Sequence, residues 1–319
     1  MGVSLFMQIS DMKKFILKIT CFVFFMVVVD CLFGVIFSFL QSHAKEGSTR
    51  VNYYLSEKCD ADVLVLGCSR ARHHYVPHEL DSLGGVAYNA GHNGMGIILG
   101  LGRYRLCLEK HNPKIVIVDI YFYDYAKDDN SKYLKLLRPF SNKPEIERIF
   151  SRVGEPFVLI KNVSNMYRNT SEILQNIWDF YSKKHFDERG YRPLFGNCNK
   201  CNSFTMNEDV SSITLDSIKL EMLDQFVEES RNQGAKLYFT ISPTFYWNEK
   251  DVSKVNRMYA KMLSQRYNVP LLDNEFIPGI SDNPSLFSAN THLNDNGAVA
   301  YTRKLVKEIL ELQNATEAK

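Results

Sequence analysis

The chain has 319 residues, 45% of them hydrophobic, with 38 lysines and arginines against 36 aspartates and glutamates for a formal net charge of +2. That apolar content excludes general disorder, and the length allows one large domain or two modest ones. A charge so close to balance, without a run of interleaved basic and aromatic residues, argues against a nucleic-acid partner.

The first element in chain order is ITCFVFFMVVVDCLFGVIFSFL at 19–40, interrupted only by Asp30. It matches the roughly 20 apolar residues that carry a helix across a bilayer. Lys13, Lys14 and Lys18 precede it, so the positive-inside tendency holds residues 1–18 in the cytoplasm and sends everything after Gln41 outside. The chain thus reads as a single-pass inner-membrane protein with a periplasmic domain. Ser42-His43-Ala44 offers the small residues of a signal-peptidase site, but the apolar run exceeds the roughly 7–15 residues of a signal core, and a retained anchor is the better reading. An acid at mid-membrane depth is costly without a partner, so Asp30 is expected to contact another membrane protein.

Residues 41–58 read as a polar juxtamembrane linker and 59–319 as the domain. Short β-rich runs at 62–67, 85–91, 114–122, 235–243 and 269–276 alternate with helical patterns at 93–111, 215–234, 251–267 and 293–312. That alternation gives an α/β fold, a mostly parallel five-stranded sheet covered on both faces. From about 123 to 214 it lapses into a Tyr-, Asn- and Lys-rich helical insertion, read as a cap or partner surface over the sheet's edge with no catalytic residue. Cys198 and Cys201 form the one close cysteine pair. Zinc would need ligands the neighbourhood does not supply, so a local disulfide or two ordinary thiols remain, and no metal is expected.

The first core strand runs into GCSRARHHY, which sets Ser69 at the strand's carboxyl end, where ligands bind in open parallel sheets. Serine there serves as a helix cap, its commoner job, or as a nucleophile. Cys68, adjacent, is expected to point into the core if Ser69 points out. Arg70, Arg72, His73 and His74 read either as solvated helix-start residues or as contacts for an anionic or sugar substrate. Tyr246 and Trp247, beyond the fourth strand, could stack on sugar rings or simply pack.

Taken with YNAGHNG after the second strand and THLNDNGA before the last helix, GCSR resembles the motif order of the SGNH/GDSL hydrolases. The closer likeness is to the membrane-anchored, extracytoplasmic branch found with polysaccharide acylation systems, and it spans 60–125 and 235–312. The resemblance implies a three-layer, flavodoxin-like α/β/α sandwich with no cofactor. Ser69 would be the nucleophile and His292 the general base, with oxyanion donors from the amides of Ser69 and Gly91 and the side chain of Asn93; Asn89 and His92 would be positioning groups facing substrate. It further implies an esterase or O-acyltransferase acting on acyl groups, acetyl above all, of a cell-surface glycan, with a membrane-embedded acyltransferase as candidate partner.

Two departures qualify this. The acid usual three residues before the histidine is replaced by Ala289, which leaves Asn290, Asp273 or Asp295 as candidates to orient the ring. The usual GxND block gives way to VDIYFYD, so Asp119, Tyr121 and Tyr123 stand at the sheet's edge without roles. The missing acid equally suits a non-catalytic glycan-binding or scaffold subunit of a membrane polysaccharide-modifying complex.

Overall fold

The computed structural model describes residues 2–156, 158–182, 189–198, 213–245 and 251–317. Helix α1 (Gly2–Ser42) carries the apolar run, whose most apolar stretch is wholly exposed, as a helix in lipid would be. Helix α2 (Gly47–Glu57) occupies most of what reads from sequence as a linker. The reason is an i, i+4 pair: Val51 and Leu55 are buried in the domain core, and tertiary packing on that stripe makes the helix.

Five strands, β1 (Val63–Leu66), β2 (Ala87–Asn89), β3 (Ile115–Asp119), β4 (Lys236–Ile241) and β5 (Leu271–Asp273), pair in the order β2-β1-β3-β4-β5, all parallel. α3 (Ser69–His74) and α4 (Pro77–Leu80) separate β1 from β2, and α5 (Ile97–Leu108) leads to β3. The insertion supplies α6 (Ser131–Leu134), α7 (Pro144–Val153), α8 (Val158–Val163), α9 (Asn165–Asn169) and α10 (Ile173–Tyr181). α11 (Ser217–Asn232) precedes β4, and α12 (Asp251–Tyr267) precedes β5. A hairpin, β6 (Phe287–Ala289) and β7 (His292–Leu293), leads into the last helix, α13 (Asp295–Glu317).

Because side chains alternate along a strand, each strand feeds two cores. Leu64, Leu66, Val116, Val118 and Phe239 pack on one face with residues of α2, α5, α7, α11 and α12. Val63, Val65, Ile115, Ile117 and Tyr238 pack on the other with α3, α4 and α13. The result is a three-layer α/β/α sandwich.

Two features tie the insertion and the segment after α1 to this sandwich. Cys59, just after α2, is disulfide-bonded to Cys107 in α5 across 48 residues, a loop closure contributing about 4 kcal/mol on the chain-entropy account. Cys198 is also disulfide-bonded, while Cys201 lies outside the described residues. Residues 189–198 run along the outer edge of β2, where the Asn89 amide donates to Arg189 O, and then on to β6, where the Cys198 amide donates to Phe287 O. The insertion thus borders the sheet's edge through 189–198, while its helices α9 and α10 pack against α1.

Candidate functional site

At the carboxyl end of β1 the chain turns at Gly67, with φ +141. A Cβ there would lie 2.9 Å from Ala71 Cβ and 3.0 Å from the Asp119 carbonyl, so only glycine lets the end of β3 approach so closely. Cys68 takes the N-cap position without a side-chain cap bond, and Ser69 is the first helical residue of α3. Serine is therefore not a cap here. Cys68 is buried, and burial pushes its thiol well above the usual range, which leaves it neutral and unreactive. Ser69 remains half-exposed at the rim.

The β6–β7 hairpin delivers His292 to the same point: its Nε2 lies 2.9 Å from Ser69 Oγ. Register pairing of His292 with Ala289 fixes the backbone behind it. The ring's other nitrogen, Nδ1, meets the Thr291 hydroxyl at 3.1 Å. Of the three residues expected to orient the ring, the two acids bond elsewhere, and Asn290 is held through its backbone. Asp273 accepts from Arg257 Nε at 2.8 Å, Asp295 accepts from the Tyr191 hydroxyl at 2.8 Å, and the Asn290 carbonyl takes the Phe245 amide. Burial, with His73 and Arg70 close by, lowers the His292 pKa to about 4, so the imidazole is neutral and able to accept a proton at pH 7.

Behind His292 runs a buried polar chain. The Leu293 amide donates to His74 Nε2 at 3.1 Å, so the His74 proton sits on Nδ1, which donates to Ser242 Oγ at 2.9 Å. Ser242 Oγ in turn donates to Asp119 Oδ2 at 2.6 Å, and Arg70 Nη2 reaches Asp119 Oδ1 at 3.3 Å and Ile120 O at 2.7 Å. The Tyr121 ring covers the Arg70 guanidinium at 4.7 Å. Burial pushes His74 well below the usual histidine range and the Asp119 carboxyl upward, the latter opposed by Arg70 and the Ser242 hydrogen bonds. A carboxylate is thus linked to the residue following His292, three groups away from the ring rather than on it.

Of the residues read as substrate contacts, Arg70, Arg72, His73, His74 and Asn89 are all buried. Asn89 Nδ2 donates to the carbonyls of Ala71 and Tyr75, and its Oδ1 accepts the Gly91 amide at 3.0 Å. The amide expected to serve an oxyanion is therefore already bonded. His73 Nδ1 donates to Arg192 O at 2.7 Å, which leaves Nε2 of the neutral ring an acceptor, so the Asn93 side-chain amide 3.0 Å away turns its Nδ2 toward it. Asn93 is exposed, with the second Nδ2 hydrogen left to donate, and the Ser69 amide, in the first turn of α3, has no intrahelical carbonyl to bond. His92 is half-buried, its pKa lowered to about 3 by burial and by Arg103 and Arg72. Tyr246 and Trp247 lie outside the described residues.

Sequence reasoning missed Thr291, Ser242 and Arg103, whose Nη1 holds the carbonyls of Ala90 and Gly91 from inside the domain. For Ser242 a signal existed: it follows β4 at the same carboxyl edge as Asp119. Arg103 inside an apolar helix gave none, since its partners, two backbone carbonyls and the Asn52 side chain, carry no charge to mark them.

No family model matches the chain, and no curated protein matches it. Among solved structures, the crystal structure of a "putative acylhydrolase" from Bacteroides fragilis is similar, with a TM-score of 0.36 and 15% identity over 82% of this chain and 94% of that one. A superposition so loose does not bear on activity.

Proposed function

We propose that this chain is a membrane-anchored, extracytoplasmic serine esterase or O-acyltransferase of SGNH type, acting on acyl groups, acetyl above all, of a cell-surface polysaccharide. What carries the reading is the 2.9 Å hydrogen bond between Ser69 Oγ and His292 Nε2 at the carboxyl edge of a parallel sheet. In this mechanism His292 Nε2 takes the Ser69 proton as Oγ attacks the acyl carbonyl carbon. The Ser69 amide and Asn93 Nδ2 donate to the oxyanion as it forms. Collapse breaks the ester bond, and His292 returns the proton to the departing alcohol. A second hydroxyl, from water or a sugar, then attacks the acyl-serine with its proton going to Nε2; collapse breaks the acyl–Oγ bond, Nε2 returns the proton to Ser69 Oγ, and the identity of the attacking hydroxyl decides between hydrolysis and transfer. The disulfides at Cys59, Cys107 and Cys198 suit an oxidising compartment, and the glycan substrate rests on the likeness of the sequence motifs alone.

A second reading, a glycan-binding or scaffold subunit, draws on the Thr291 hydroxyl standing at Nδ1. Loss of a triad carboxylate lowers turnover by about 10⁴-fold in a serine protease. Incubation of the full chain in detergent with a chromogenic acetyl ester and with a serine-directed phosphonate decides between them. Turnover and a covalent adduct, both abolished in Ser69→Ala, are expected of the enzyme; neither in the native chain would establish the scaffold.

A further inference from the structure

Helix α10 is inside out for a surface helix in water. Its buried positions are polar: Asn176 and Asp179, each 2% exposed, follow Glu172 at the preceding turn. Its outward stripe is apolar: Leu174 is 82% exposed and Trp178 71%, with Ile177 and Tyr181 beside them. Leu174, Ile177, Trp178 and Tyr181 fall at i, i+3, i+4 and i+7, one continuous band. Val163, at the end of α8, is exposed alongside. The inward polar groups find partners within the chain, Asn176 Oδ1 accepting from Thr49 Oγ1 at 2.7 Å and Asp179 accepting from Gln175 Nε2 at 2.6 Å.

The same helices are fastened to α1. Asp30 accepts from Ser164 Oγ at 2.6 Å, from the amides of Asn165 and Met166 at 2.8 and 2.9 Å, and from Asn165 Nδ2 at 3.2 Å. The membrane acid, expected to seek another protein, is partnered by the start of α9. Gly34, one turn on, leaves no room for a side chain, since a Cβ would lie 2.8 Å from Asn165 Cγ. Nearer the end of α1, the Phe39 ring meets Phe180 of α10 at 5.8 Å, and the Lys45 amide donates to Asp179 O at 3.0 Å. The exposed apolar residues of α1 at Val35, Ile36 and Phe39 thus stand beside α10.

Depth follows from helix geometry. If Lys14 or Lys18 marks the inner boundary, about 20 apolar residues bring the outer boundary to between residues 34 and 38, which places Asp30 about 6–12 Å beneath it. That puts the start of α9 about as deep as the apolar faces of interfacial helices lie, while α10, which meets α1 at Phe39 and Lys45, lies along the boundary itself, the level that Trp and Tyr favour.

We propose that α8–α10 form a second membrane-contacting element, with Val163, Leu174, Ile177, Trp178 and Tyr181 embedded in the outer leaflet beside α1 and fixed there by Asp30. The proposal rests on α1 spanning the bilayer, and its ligand is the acyl-chain region of the lipid. The test uses the full chain carrying Trp247→Phe, so that Trp178 is the one tryptophan. It is reconstituted alone into phosphatidylethanolamine/phosphatidylglycerol vesicles with or without brominated acyl chains. A parallel chain, with Trp178→Phe, Trp247→Phe and Phe24→Trp, reports on α1 itself. Embedding predicts that bromolipid removes about half or more of the Trp178 emission, that aqueous acrylamide quenches it weakly, and that Asp30→Leu reverses both. Trp178 untouched by bromolipid and open to acrylamide, while the tryptophan introduced on α1 is quenched in the parallel chain, would overturn the platform and leave the anchor standing. Protection from acrylamide only on adding a partner membrane protein would assign the surface to that protein instead. Neither tryptophan quenched would remove the anchor as well.

Discussion

The Ser69 rim and the α8–α10 platform bury polar groups in the same way but leave opposite groups outside. At the rim, Arg70, His74, Asn89, Asp119 and Ser242 are packed away beneath an accessible hydroxyl, so that one reactive group meets the solvent on a rigid polar foundation. On α10, Asn176 and Asp179 are packed away beneath an exposed tryptophan and leucine. Both regions draw their buried polar residues into internal hydrogen bonds, as a low-dielectric interior requires. What they leave outside differs, and on the functions proposed above each would face its own medium: water and substrate at the rim, hydrocarbon at the platform.

The largest expected effect separates the two regions outright. Ser69→Ala should lower ester turnover by about 10³-fold or more and remove phosphonate labelling, while leaving bromolipid quenching of Trp178 unchanged. Asp30→Leu should do the reverse, with turnover of a soluble ester held within about two-fold. If either variant moved both readouts, the two regions would not be independent.

Next in size is the buried chain beneath the rim. Ser242→Ala leaves His74 Nδ1–H and Asp119 Oδ2 without their shared partner, and should destabilise the domain by about 1–3 kcal/mol in chemical denaturation. Because this chain positions the backbone at Leu293 rather than touching substrate, kcat should fall and KM stay level. A loss confined to KM would contradict the assignment.

The acid side of the pH profile sharpens the same point. Burial holds His292 at about 4, so kcat/KM should persist below pH 6 and fall as pH drops through about 4, where Nε2 becomes protonated and cannot accept from Ser69. Stability should respond over a wider window. His73, His74, His92 and His292 are all held below the histidine value of about 6.5, so beneath that pH the unfolded chain binds more protons. The stability present above pH 6.5 should therefore drain away as pH falls toward 4 and 3, a declining Tm that scanning calorimetry would record. An activity limb near pH 6.5 would mean that His292 is more solvated than its packing indicates.

Smallest is Thr291→Val, which removes the hydroxyl at Nδ1. A neutral hydrogen bond is worth about 0.5–1.5 kcal/mol, so a drop of about 10-fold in kcat is expected, far short of a triad carboxylate. A loss of about 10³-fold would show the threonine doing a carboxylate's task.

The sheet was legible because its strands are buried on both faces and read as uninterrupted Val, Ile and Leu, and α12 because its limits at Asp251 and Tyr267 follow a clear helical period. The encounter of Ser69 with His292 was foreseen only through motif order, since nothing local to either residue encodes a contact across 223 positions. The ring's actual partner, Thr291, escaped because attention to carboxylates passed over a hydroxyl one residue away. The Cys59–Cys107 disulfide escaped for a related reason: spacing along the chain singled out Cys198 and Cys201, whereas pairing depends on which helices the fold stacks. α10 showed its helical period in sequence, but period alone does not say which stripe turns inward.

Only four residues, 43–46, join α1 to α2, and they are held at the Lys45 amide by Asp179 and at the Lys45 carbonyl by Arg50. Such a neck permits no long-range excursion of the domain. Ser69 would then patrol a thin layer at a nearly constant height over its membrane, and encounters with material in that layer would be governed by lateral diffusion in two dimensions instead of by binding strength from bulk.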